Sequence, residues 1–285
     1  MDIKKVLVVG SGTMGSGIAQ VCSQAGLEVK LKDVSEDLVK KGISGITKGL
    51  DRLVEKGRIK KEQRDTIIGR IEPITDYEKA KDCDLVIEAV FELMDVKQKV
   101  FAELDSIIPQ NVILASNTSG LPITEIATAT KRPDKVIGTH FFNPVPVMRL
   151  VEVIKGYKTS DETCKVIEEF CKHIGKVPVC VNDCTGFVTV RVMMPMIQEA
   201  ITTYTEGIAS IEAIDTAMKL GFNLPMGPFE LADLIGLDVC LHCFEELYEG
   251  YGHTKFFPPT ILKKMVVAGD LGRKTGKGFY DYTKK

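Results

Sequence analysis

The chain has 285 residues, 44% of them hydrophobic, which is enough for two domains with substantial cores. Its formal net charge of -2 supplies no overall attraction to nucleic acid or to an anionic membrane, and neither is expected as a partner. No apolar run approaches the roughly 20 residues of a transmembrane helix, and the opening residues read as a strand rather than a signal peptide.

In chain order, "IKKVLVV" (3–9) reads as a buried strand and "GSGTMGSG" (10–17) as a glycine turn, with Ile18, Val21 and Cys22 at helical spacing beyond it. "LEVKLKD" (27–33) alternates as a second strand and ends in Asp33. A helical excursion spans 35–70; within it, 37–57 carries an apolar stripe of Ile43, Ile46, Leu50 and Leu53, with Lys41, Lys48, Arg52 and Lys56 on the opposite face. Strand-like runs recur at 83–90, 111–116, 135–142, 148–154 and 176–181, most of them separated by helical patterns. Such alternation implies a mostly parallel sheet covered on both faces. Near residue 184 the strands stop, and 186–207, 210–221 and 227–252 each read as helix. The expected fold is α/β: a sheet domain over 1–184 followed by an all-α C-terminal domain over 185–285.

Eight cysteines are scattered through these patterns. Cys240 and Cys243 form a lone CxxC and Cys180 and Cys184 a CxxxC, without the second regularly spaced pair that a zinc site usually needs. All eight are expected to be buried, reduced thiols of a cytoplasmic protein, and no metal is expected.

Gly10, Gly12 and Gly15 fit G-x-G-x-x-G between a strand and a helix, and Asp33 closes the next strand 23 residues after Gly10. In that Rossmann-type setting the glycines let backbone N–H groups approach a pyrophosphate at a helix N-terminus. Asp33 would accept hydrogen bonds from the ribose hydroxyls and repel a 2′-phosphate, so the cofactor is NAD. Gly10, Gly12, Thr13, Met14, Gly15 and Asp33 are its expected contacts.

His140, in "THFFNPVP" (139–146), falls at the carboxyl end of a strand, where open α/β sheets bind ligands. Glu152 follows 12 residues later, in a strand that returns after the Pro144–Pro146 turn. A return of that length brings a carboxylate beside the imidazole, fixing its tautomer and favouring its protonated form. That suits a base taking an alcohol's proton while hydride leaves the carbon for NAD. The hydroxyls and amide of "SNTSGLPI" (116–123) end the preceding strand, where they can orient a carbonyl oxygen.

The chain resembles the short-chain L-3-hydroxyacyl-CoA dehydrogenase family, on its bacterial, clostridial-type 3-hydroxybutyryl-CoA dehydrogenase side. The resemblance rests on "GSGTMGSGIAQ", "VIEAV", "SNTS", "GTHFFNPVPVMRLVEVI", "GFVTVR", "MGPFELADLIGLD" and "LGRKTGKGFYDY", in one order along nearly the whole chain. It implies His140 as general acid/base, Glu152 as its partner, Ser119 as a hydroxyl near the substrate oxygen and Asn143 as a contact near the nicotinamide. It also implies Glu92 and Lys97 beside the nicotinamide ribose; read from the residues alone, both belong to a solvated helix start. A Rossmann domain joined to a helical dimerisation domain is implied, with the active site between them, as a homodimer or higher homo-oligomer. The implied substrates are acetoacetyl-CoA and 3-hydroxybutyryl-CoA. Arg52 and Lys56 become contacts to coenzyme A phosphates, although their pattern alone describes an ordinary solvated helix face, and Gly49 stands where mammalian members carry serine.

Two departures qualify the resemblance. The family usually has proline where Thr185 stands and asparagine where Val190 stands, an asparagine that hydrogen-bonds near the reacting histidine and substrate. A dehydrogenase-fold protein with weak or lost catalysis, kept for binding or structure, is therefore the alternative. A 3-hydroxyisobutyrate-type dehydrogenase is disfavoured, because "GFVTVRVMMPMIQEA" lacks the catalytic lysine of that class.

Overall fold

A computed structural model describes residues 3–283. The chain divides into two compact units, the first ending at Asp183 and the second beginning at Cys184. The first unit runs β1 (Lys5–Val9), α1 (Thr13–Gln24), β2 (Glu28–Lys32), α2 (Glu36–Glu55), α3 (Lys61–Gly69), β3 (Ile71–Ile74), β4 (Leu85–Glu88), α4 (Met94–Ile107), β5 (Ile113–Ser116), α5 (Ile123–Ala127), β6 (Val136–Phe141), β7 (Leu150–Lys155), α6 (Asp161–His173) and β8 (Val177–Asn182). The strands form one sheet in the order β3-β2-β1-β4-β5-β6-β7-β8. Every neighbouring pair is parallel except β6 and β7, so the sheet is mostly parallel with its last two strands reversed. The order turns back at β1, so the carboxyl ends of β1 and β4 flank the crevice where such sheets take ligands.

Fully buried strands explain the apolar runs: β4, β5 and β6 are buried at every residue, as strands covered on both faces must be. Helix α2 begins where Ser35 caps the amide of Leu38, with Glu36 and Asp37 in its first turn and Arg52 in its last, matching the helix dipole at both ends. Its buried stripe is Val39, Gly42, Ile46 and Leu50, while Ile43 and Leu53 pack only partly, so the inward face is rotated from the expected one. The short edge strand β3 has no counterpart in the sequence reading. Only Ile71 and Ile74 of its four residues are apolar and buried, and Pro73 is tolerated because the strand lies at the sheet edge.

The second unit contains α7 (Thr189–Thr205), α8 (Ile211–Phe222), α9 (Pro228–Ile235), α10 (Leu237–Tyr251) and α11 (Thr260–Val267). Its core gathers Met194, Ile197, Phe229, Leu237, Phe244, Leu247, Phe256 and Leu262. The stretch read as one helix over 227–252 is two, broken at Gly236, whose φ of +105° ends α9 in a conformation that side chains rarely adopt. The stretch read as helix from 186 is helical only from Thr189, after Gly186 and Phe187 take left-handed backbone angles. Near the C-terminus, "GFYDY" is tied down by two buried carboxylates. Asp233 accepts the amides of Phe279 and Tyr280 and the hydroxyl of Tyr282, and Asp215 accepts the hydroxyl of Tyr280 together with the first amides of α9.

Among the described residues no helix is long and apolar enough to cross a membrane, and no group of three or more His, Cys, Asp and Glu could hold a metal ion. The cysteines correct the expectation of uniform burial. Cys180 is exposed because β8 is an edge strand whose residues are only partly covered or exposed, and Cys184, just beyond that strand, is half-buried. All eight are free thiols.

Candidate active site

Five strand ends build the site. At the end of β1, Gly10 has φ +99°, and a side chain there would strike the carbonyl oxygen of Ala89 at 2.5 Å. A side chain at Gly15 would lie 1.8 Å from the oxygen of Gly10, so α1 can start this close to the strand only with glycine. Gly12 instead faces open space, as the N-cap of α1 with no side-chain cap and no acidic residue in the first turn. This is a helix N-terminus left to an outside anion, and it fits a pyrophosphate. Thr13 is exposed and Met14 half-buried on that first turn.

Asp33 follows β2 and turns toward this loop. It accepts hydrogen bonds from the amide and hydroxyl of Ser11 and the amide of Val34, each at 2.7 Å. Burial pushes its pKa up, but these donors outweigh burial and hold the carboxyl below its usual range. A carboxylate held charged at this point accepts ribose hydroxyls and opposes a phosphate, so the residues present fit NAD.

At the end of β4 lies a buried ionic cluster. Lys97 is 0% exposed, with its Nζ 2.8 Å from Glu88 Oε1 and 3.2 Å from Glu92 Oε2. Glu88 also accepts the amide of Val90 and the hydroxyl of Ser116. Glu92 Oε1 accepts the Thr118 hydroxyl, the Ser119 amide at 2.6 Å and the Gly120 amide at 3.3 Å. The solvated helix start read from the residues alone is thus corrected for Lys97, whose ammonium needs buried carboxylates that its local sequence does not reveal. Glu92 and Lys97 hold the loop that carries Ser119, while the Ser119 residue itself is exposed.

At the ends of β5 and β6 the sheet sets the histidine. Asn117 accepts the amide of Phe141, fastening the two strand ends together. The antiparallel register pairs His140 with Glu152, and His140 Nδ1 lies 2.9 Å from Glu152 Oε2. His140 is 6% exposed and Glu152 1%. The Phe142 ring stands 4.4 Å from the imidazole, centroid to centroid.

Asn143 is exposed in the following turn. That turn is fastened from below by Lys176, whose buried Nζ donates to the carbonyls of Val145 and Met148. Burial pushes the Lys176 pKa down, with no carboxylate opposing it. The sequence reading missed Lys176 and Glu88, and it gave the hydroxyls of Ser116 and Thr118 to a carbonyl oxygen, whereas here they donate to Glu88 and Glu92. For Glu88 a signal exists, an acid inside the apolar run "VIEAV".

Arg52 and Lys56 are exposed at the C-terminal end of α2, an element separate from the β6 and β7 strands that carry His140 and Glu152. In the second unit, Val190 is 7% exposed and packs into the helical core cluster, and the Thr185 carbonyl accepts the hydroxyl of Tyr251.

A glycine loop at an open helix N-terminus, an acid closing the second strand and an imidazole–carboxylate pair at a neighbouring strand end define a nicotinamide-dinucleotide-dependent dehydrogenase. The family described as 3-hydroxyacyl-CoA dehydrogenase, NAD binding domain, matches residues 5–184, and the 3-hydroxyacyl-CoA dehydrogenase C-terminal domain matches 186–282. The chain belongs to the 3-hydroxyacyl-CoA dehydrogenase family, and NAD is its cofactor. It is 51% identical over 280 residues to a 3-hydroxybutyryl-CoA dehydrogenase of Clostridioides difficile, covering 98% of this chain and 100% of that one. It is 50% identical over 285 residues to a probable 3-hydroxybutyryl-CoA dehydrogenase of Bacillus subtilis, covering 100% and 99%. The crystal structure of (S)-3-hydroxybutyryl-CoA dehydrogenase PaaH1 from Ralstonia eutropha superposes with a TM-score of 0.95 at 47% identity, covering 99% and 100%.

Proposed function

We propose that the chain interconverts acetoacetyl-CoA and (S)-3-hydroxybutyryl-CoA, with His140 as the general acid/base. The observation that carries this reading is the 2.9 Å contact between His140 Nδ1 and Glu152 at the carboxyl end of β6. Because Glu152 engages Nδ1, the ring meets the substrate oxygen through Nε2. In the reducing direction His140 gives a proton to the carbonyl oxygen as it gains charge; in the oxidising direction it takes the hydroxyl proton. Bound NAD supplies the hydride acceptor or donor. Glu152 holds the ring's tautomer and orientation, and Ser119, on the loop fastened by Glu92, donates to the same oxygen. Asn143 orients the nicotinamide side. The names of the relatives at 50% and 51% identity support the four-carbon substrate. The enzyme is further proposed to act in the cytoplasm as a homodimer or higher homo-oligomer.

The test is turnover of acetoacetyl-CoA with NADH. His140→Gln is expected to lower kcat by about 10²–10⁴-fold, the usual contribution of a positioned acid/base, with NADH binding intact. A loss smaller than about tenfold would remove His140 from that role.

A further inference from the structure

Cys164 and Cys180 stand apart from the other thiols. Cys164 lies in the first turns of α6, whose start is capped by Ser160, and Cys180 lies in the edge strand β8. Their sulfur atoms are 2.8 Å apart, and Cys180 is exposed while Cys164 is buried. Cys22, Cys83, Cys171, Cys240 and Cys243 are all buried, and burial raises the pKa of Cys22, Cys83, Cys171 and Cys240. A thiol pair with one member open to solvent and the other buried against it has the layout of an attacking and a resolving cysteine.

We propose that Cys164 and Cys180 form an oxidisable dithiol site, which a hydroperoxide converts to an intramolecular disulfide clamping α6 to β8. The Cys180 thiolate attacks one peroxide oxygen. The O–O bond breaks, Cys180 becomes a sulfenic acid, and the leaving oxygen departs as water after taking a proton. The Cys164 sulfur then attacks the sulfenyl sulfur; the S–S bond forms, the S–O bond breaks, and the hydroxide leaves as water with the Cys164 proton. Two thiols and one hydrogen peroxide give one disulfide and two waters, the sulfurs being oxidised and the peroxide oxygens reduced. The order follows from access. Burial, together with the neighbouring Cys180 sulfur, pushes the Cys164 thiol up to about 12, so it waits for an activated sulfur beside it.

The clamp acts on the part of the sheet that carries Glu152. Cys180 pairs with Val153 in the β7–β8 register, next to the Glu152–Val179 pair. Closing the short loop from α6 to β8 restrains the unfolded chain, and it is expected to raise the thermal midpoint by about 5 °C. A disulfide with an exposed sulfur is also readily reduced, so the change is reversible by dithiothreitol.

The experiment treats the full-length protein with stoichiometric hydrogen peroxide, then counts thiols and maps crosslinked peptides by mass spectrometry. The expected result is loss of two of the eight thiols, a Cys164–Cys180 crosslinked peptide lighter by two hydrogens, and a raised midpoint, all reversed by dithiothreitol and absent in Cys180→Ser. Cys164→Ala should instead leave Cys180 to stop at, or pass beyond, the sulfenic acid. The proposal is overturned if Cys180 in the parent protein runs on to the sulfinic acid while Cys164 can still be alkylated. Crosslinks between chains or between other cysteines would overturn it equally.

Discussion

The ammonium of Lys97 sits between Glu88, at 2.8 Å, and Glu92, at 3.2 Å, and so joins the end of β4 to the loop that carries Ser119. Lys97 and Glu88 are both fully buried, and removing one member of a buried pair strands the other, at a typical cost of about 3–5 kcal/mol. Lys97→Met is therefore expected to lower the unfolding free energy by about that amount, while Glu88→Gln, which keeps an acceptor for Ser116 and Val90, loses less. Glu92 loses its cation in Lys97→Met and keeps only the loop donors Thr118, Ser119 and Gly120, so kcat should fall more than NADH affinity does. Denaturant unfolding and steady-state kinetics check both statements, and a stability loss below about 1 kcal/mol in Lys97→Met would contradict the coupling.

Asp33 is expected to set the choice of dinucleotide. Its carboxylate is held charged by Ser11 and Val34 where the adenosine ribose is expected. NADH should bind tighter than NADPH by about tenfold or more, equivalent to roughly 1.4 kcal/mol. Asp33→Ala should narrow the gap by weakening NADH and admitting the 2′-phosphate. Calorimetric titration of both dinucleotides decides it, and equal affinities in the parent protein would defeat the argument.

Much of this site is legible in the sequence because its parts are local. Gly10, Gly15 and Asp33 belong to one strand–turn–helix–strand unit, and His140 and Glu152 to one two-strand return, where spacing alone brings partners together. Lys97 is different. Its helix carries charges on every side, and burial is imposed by Glu88 and Ser116, which arrive from two strands of the sheet. Lys176 is harder still, since its acceptors are carbonyls of a turn 28 and 31 residues away and no acid marks the pairing. The break at Gly236 escapes notice because a lone glycine inside a helical pattern is tolerated, and only the observed φ reveals a stop. Strand β3 offers two apolar residues, too few for a periodic signal.

Asp105 makes stability depend on acid pH. Burial raises its pKa, but the Arg132 guanidinium, at 2.8 Å, and the Lys131 amide outweigh burial and hold the carboxyl below its usual range. A carboxyl depressed in the folded state contributes stability above its unfolded pKa of about 3.9 and loses it as pH falls through the lower folded value. Asp105→Asn should therefore be less stable than the parent at neutral pH and should show a flatter decline below about pH 4. Unfolding curves at a series of pH values test this; parallel declines for parent and variant would remove Asp105 from the acid response.

Arg52 and Lys56 are exposed on the last turns of α2, while His140 and Glu152 lie in β6 and β7, so a long substrate is what would connect them to the chemistry. Coenzyme A, with its phosphates far from the reacting carbonyl, is such a substrate. Arg52→Glu with Lys56→Glu is expected to raise KM for acetoacetyl-CoA, more at low salt than at high salt, with NADH affinity unchanged. An unaltered KM returns both residues to an ordinary solvated helix face.

A substitution at position 190 tests whether the enzyme is efficient or weakened. If an asparagine here serves the reacting centre, as the family pattern implies, valine removes a pre-aligned donor worth about 10²–10³ in kcat. Val190→Asn should then raise kcat at least about tenfold. The burial of Val190 in the helical core, beside Met194 and Ile197, favours the opposite outcome. A buried amide without partners costs about 1–3 kcal/mol, so the variant should lose stability while kcat stays near the parent value. Measuring kcat, KM for acetoacetyl-CoA and the thermal midpoint for both forms distinguishes the two. A gain in kcat supports weak catalysis in the parent, and a lowered midpoint with unchanged kcat supports an ordinary active dehydrogenase whose valine belongs to the core.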